Sequence, residues 1–116
     1  MHLTPRETER LELFLAAELA RRRFKQRIKL NHPEAVAIIC DELVEQARFG
    51  EKKLVEVIAL GRRILTKEDV LPGVDKLIPM IQVEGLFNDG TKLITVHHPI
   101  AFSTREELNG ETYLTL

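Results

Sequence analysis

Two histidines stand side by side at the end of an apolar run in TVHHPI, Thr95 to Ile100, and paired neutral imidazoles suggest a metal grip. A regular strand sends neighbouring side chains to opposite faces, so His97 and His98 cannot both hold one ion from it. The other ligand types, His2, His32 and Cys40, follow no recognisable metal spacing. The pair is therefore read as strand-end histidines that pack or hydrogen-bond, and no metal ligand is assigned. Cys40 lies inside the apolar run AVAIIC, where a thiol behaves as a small hydrophobe and burial raises its pKa, the opposite of what a nucleophile needs. The adjacent acids Asp41-Glu42 and Glu106-Glu107 are expected on separate helical faces as solvated surface, which leaves no general acid–base pair.

The run ARRRFKQRIK sets six cations, Arg21 to Lys29, around Phe24, a composition that suits phosphates. The same charges suit the C-terminal end of a helix, where they complement the dipole. With a net charge of -1, no recognition helix and no RNA-binding signature, no nucleic-acid partner is expected, and acidic surface on a protein fits the patch better. No GxGxxG or GxxxxGK[ST] phosphate loop occurs. The residues compose no active site: no catalytic, cofactor-binding or metal residue is assigned.

A chain of 116 residues is one domain's worth, large enough to bury roughly two-thirds of the surface its unfolded chain exposes. Its 44% hydrophobic and 30% charged content is that of a folded globular chain, too apolar for disorder. A single cysteine fits a reducing compartment. MHLTPRETER lacks the apolar core of a signal peptide, and no apolar run approaches the ~18 residues of a membrane span. A cytoplasmic protein with no membrane partner is the expectation.

The elements that would position these groups are legible in order. Thr4-Pro5-Arg6-Glu7 has the form of a capping box with proline in the first turn. Leu13, Ala17, Ala20, Phe24 and Ile28 then make an apolar stripe facing a core or a partner. Asn31-His32-Pro33-Glu34 repeats the start signal for a second helix, apolar from Ala35 to Cys40 and continuing through Leu43, Val44 and Ala47 until Gly50 stops it. Leu54, Val55, Ile58 and Leu65 predict a third helix weakened by Gly61. Thr66 to Asp69 caps a short fourth that Pro72-Gly73 ends. Alternation from Ile81 to Phe87 and from Lys92 to His98 about Asn88-Asp89-Gly90 predicts a β-hairpin. An Asp89-Gly90 loop would set Val83 against Val96, Gly85 against Ile94, Glu84 against Thr95 and Gln82 against His97, with His98 continuing the Val96 face and Pro99 ending the ladder. Ser103 with Glu106 caps a helical turn, and Glu111 to Leu116 reads as extended. The fold class is α+β: an N-terminal bundle of three to four helices followed by a C-terminal hairpin.

Taken together, LTPRE at Leu3 to Glu7, IKLN at Ile28 to Asn31 followed by PEAVA from Pro33, GRRILTKEDV from Gly61, PGV from Pro72, IQVE from Ile81, DGTKLITVH from Asp89 and Pro99-Ile100 resemble the urease gamma subunit. The resemblance runs over about residues 1–100, and residues 101–116 read as a C-terminal extension of unknown role. It implies a small α+β subunit of a cytoplasmic hydrolase of nitrogen metabolism, a hetero-oligomer in which gamma joins beta and alpha chains as a trimer of three-subunit units. The assembled enzyme hydrolyses urea to ammonia and carbamate. In the family both nickel ions, the carbamylated lysine bridging them and the acid–base histidine belong to the alpha subunit, so none is carried onto a residue here and the gamma role is architectural. The alternative is a stand-alone interaction module that keeps the fold and binds another protein or nucleic acid through the basic patch or the tail. Two features depart from the family: His98 stands where it commonly has asparagine, and the tail from Ala101 has no counterpart in the free-standing pattern. A remnant of a gamma–beta fusion, or a strand added to a partner, would each account for the tail.

Overall fold

Helix α1, Pro5–Lys25, starts where the capping box places it: the Glu7 N–H donates to Thr4 Oγ1 at 3.2 Å and the Thr4 N–H to Glu7 Oε1 at 2.9 Å. In this computed structural model, which describes residues 1–114, the helix ends at Lys25, three residues short of the predicted stripe. Arg27 turns left-handed (φ 63°) and leaves Ile28 outside the helix and exposed. Helix α2, His32–Phe49, opens on a second capping box, Glu34 N–H to Asn31 Oδ1 at 3.0 Å, and closes on left-handed Gly50. Helix α3, Leu54–Leu60, is shorter than the apolar spacing suggests and tightens into a 3-10 turn at Gly61–Arg63. The reason is packing. A Cβ on Gly61 would lie 2.8 Å from Val96 Cγ2 and 3.1 Å from Leu43 Cδ2, so glycine there is a close approach to the hairpin and to α2. The fourth helix is a 3-10 turn, Lys67–Asp69, and a further turn, Val74–Leu77, follows Gly73 where the sequence suggested only a stop.

Strands β1, Met80–Phe87, and β2, Gly90–His97, pair antiparallel as expected, but two residues out of the predicted register. Val83 faces Ile94, Ile81 faces Val96, Gln82 faces Thr95, Glu84 faces Leu93 and Met80 faces His97. The turn is Asn88-Asp89, neither residue has positive φ, and Gly90 at φ 121° already pairs with Phe87. Tertiary bonds hold that turn: Asn88 Nδ2 donates to the Gly50 carbonyl at 2.8 Å, and Lys92 meets Asp89 at 3.0 Å. A two-residue slip preserves which face each side chain occupies, so Ile81, Gly85, Phe87, Ile94 and Val96 are all buried. Gly85 lets the sheet reach α2, since a Cβ there would sit 2.9 Å from the Ala47 methyl.

The core lies between α2 and the hairpin, with Ile38, Ile39, Leu43, Ile64, Leu65, Ile94 and Val96 inaccessible to solvent. Leu30 bridges to Val70. The segment after Ile100 packs on the same core. The Lys67 and Glu68 N–H groups donate to the Phe102 and Ser103 carbonyls, and Leu108 is buried in the 3-10 turn Arg105–Leu108. Thr104, not Ser103, precedes that turn and makes no side-chain cap bond, while the Ser103 N–H donates to Glu107 Oε2 at 3.2 Å. The extended Glu111 to Leu116 stretch forms no strand as far as Leu114, and its last two residues lie outside the described ones.

Both cap glutamates are held below the ordinary carboxylate range, Glu7 by the Thr4 backbone bond; at Glu34 partial burial opposes the charge, and bonds from Arg23 and Asn31 outweigh it. A depressed folded pKa gives stability that is present above the unfolded value and lost as pH falls through the folded one. Urea unfolding should therefore show stability dropping as pH falls below about 4.3, and Asn31→Ala should remove about 1 kcal/mol at neutral pH.

Candidate functional site

The sequence-derived candidates do not converge. His97 is exposed at the end of β2, His2 and His32 are exposed elsewhere, and His98 has left the strand. His98 adopts φ 48° with its N–H on the Pro79 carbonyl at 2.9 Å, so it does not continue the Val96 face. Histidine, like asparagine, is among the few side chains that tolerate this left-handed conformation, which gives a physical reason for His98 at this position. Among the described residues no three His, Cys, Asp or Glu side chains come together as a ligand set. Cys40 is buried, and desolvation, helped by the Asp41 charge, pushes its thiol up to about 11.

The expectation that Asp41 and Glu42 are solvated is wrong. Both are buried in the α1–α2 contact, where Arg21 Nη2 lies 2.6 Å from Asp41 Oδ2 and 3.3 Å from Glu42 Oε2. Arg21 Nη1 reaches Glu18 at 2.6 Å, and Arg10 Nη1 closes on Asp41 Oδ1 at 2.7 Å while its other arm pairs with Glu45. Burial opposes the Arg21 charge, but the surrounding carboxylates outweigh it and raise its pKa. Charges dropped into the otherwise apolar run Ala35 to Leu43 were the available signal: buried carboxylates require cations from a neighbouring helix. Arg21 also thins the basic patch. Arg23 pairs with Glu34 at 2.7 Å and Lys29 donates to the Glu68 carbonyl, so three of the six cations are committed internally. The acids Glu106 and Glu107 are exposed, as expected.

With α1 held by charge and by the small residues Ala17 and Ala20, its opposite side is left uncovered. Leu11, Leu15 and Leu19, at i, i+4 and i+8, are 48%, 65% and 49% exposed, and Phe14 is 42% exposed beside them. This stripe, about 12 Å long at 1.5 Å per residue, lies away from the Leu13-to-Ile28 stripe singled out in the sequence. It is a candidate assembly surface, because large apolar side chains aligned on one helix face in water mark a contact.

The sequence profile described as "Urease, gamma subunit" matches residues 1–100. The urease subunit gamma of Natronomonas pharaonis is 54% identical over 108 residues, covering 93% of this chain and 98% of that protein.

The chain belongs to the urease gamma-subunit family.

A match of 108 residues in a chain of 116 reaches at least Leu108 wherever it begins, so part of the segment after Ile100 does have a counterpart in a gamma-subunit relative. In this chain the buried Leu108 and the Arg105 contacts with Asp69 at 2.9 Å and the Ile64 carbonyl at 2.9 Å tie that segment to the core. In the isolated protein Arg21→Ala should destabilise the fold by about 3–5 kcal/mol, since it removes the buried cation that lies between Asp41 and Glu42; chemical denaturation measures this directly.

Proposed function

We propose that this chain is an architectural, non-catalytic subunit of a nickel-dependent urease, assembling with alpha and beta subunits as a trimer of three-subunit units in the cytoplasm. The family match across residues 1–100 carries this reading. The exposed Leu11, Leu15 and Leu19 face supports it by offering apolar surface that the chain does not bury itself. Urea hydrolysis to ammonia and carbamate, and both nickel ions, belong in this reading to the alpha partner, and no step of the reaction is assigned to a residue here.

Co-expression with the alpha and beta chains of the same genome tests the proposal. All three should elute as one large species in equal amounts and release ammonia from urea, and the isolated chain should release none. Elution of this chain alone beside an intact alpha–beta complex would contradict it.

A further inference from the structure

Beyond the α1 face, the end of the hairpin carries a second surface of a different chemistry. A cleft of about 470 Å3 lies where the Gly61–Arg63, Lys67–Asp69 and Val74–Leu77 turns meet the chain leaving β2. Arg62, Lys67, Lys76 and His98 line it, with Asp75 as the one carboxylate of the lining, and Pro79, Ile100 and Ala101 add apolar carbon. Its walls are fixed by backbone bonds: Lys67 N–H to the Phe102 carbonyl at 2.9 Å, His98 N–H to the Pro79 carbonyl at 2.9 Å, and Lys76 N–H to the Gly73 carbonyl at 3.2 Å. Arg62 adds an Nε–H bond to the His98 carbonyl at 3.4 Å.

What marks the cleft is the gathering of its charges. Arg10, Arg21, Arg23, Arg63 and Arg105 each reach a carboxylate, whereas among the described residues Arg62, Lys67 and Lys76, like Arg22, Lys25 and Arg27 at the end of α1, form no ion pair, and the first three line one cleft. Three exposed cations lining one cleft with a single carboxylate leave it net positive, and an anionic occupant would offset that charge. The lining also includes Pro79, Ile100 and Ala101, apolar carbon that suits a chain segment carrying carboxylates on an aliphatic stem better than a bare ion.

We propose that this cleft docks an acidic segment of a partner polypeptide, its carboxylates set against Arg62, Lys67 and Lys76. The proposal rests on the assembly reading, with an alpha or beta subunit as the source of the segment. Arg62, Lys67 and Lys76 are exposed, so the triple variant Arg62→Gln/Lys67→Gln/Lys76→Gln should fold with an unchanged melting temperature. A control, Arg22→Gln/Lys25→Gln/Arg27→Gln, removes equal charge from the exposed part of the basic run. Calorimetric titration of each full-length chain into the alpha–beta complex should show the cleft triple binding at least ten times more weakly than wild type with a shallower salt dependence, and the control within about twofold, because distant rim charges contribute little. Equal binding by the cleft triple, or equal loss in both triples, overturns the cleft proposal and leaves assembly standing. Failure of the wild-type chain to bind overturns both. Tight, salt-sensitive binding of a single-stranded oligonucleotide that only the cleft triple loses would overturn the polypeptide occupant in favour of nucleic acid.

Discussion

The buried contact of Arg21 with Asp41 and Glu42 decides how this chain presents itself. Desolvating these groups is costly, and the cost is offset only if α1 and α2 hold one fixed position and rotation. Ala17 and Ala20 permit the approach, Arg10 adds a second cation half-way along the contact, and the rotation so fixed turns Leu11, Leu15 and Leu19 outward. The ion cluster ties that rotation to named partners, Arg21 on Asp41 and Glu42 and Arg10 on Asp41. The outward stripe is thus a consequence of the inner charges.

Local signals carried most of the fold. The capping boxes at Thr4 and Asn31, left-handed Gly50 and the two-residue period of the hairpin all act within a few residues, and each lies where the sequence puts it. What the sequence did not reveal depends on contacts between distant segments. The hairpin register is set partly by Asn88 reaching Gly50, a bond invisible to pairwise matching of apolar residues. Arg21 looked like a helix-end charge because only its tertiary neighbours show otherwise. The stripe from Leu13 was real, but it names the covered side of α1, and the uncovered side was hidden by its spread of charged neighbours. The cationic cleft joins residues from four separate segments that no local motif connects.

The histidines illustrate how composition misleads about chemistry. His97 and His98 are adjacent in sequence, but one ends a strand with its side chain in solvent, and the other is chosen for a backbone conformation that few residues accept. The surfaces left open are of other kinds, an apolar stripe on α1 and a cationic cleft at the end of the hairpin.

The central claim is that the outer face of α1 exists for assembly and not for the chain's own stability. Leu15→Lys tests it, because lysine is as good a helix former as leucine and the side chain at 15 is mostly in solvent. Unfolding of the isolated variant should stay within about 0.5 kcal/mol of wild type, while its affinity for the alpha–beta complex should fall at least thirtyfold, about 2 kcal/mol. Unchanged affinity, or a loss of several kcal/mol in the isolated chain, would contradict the account.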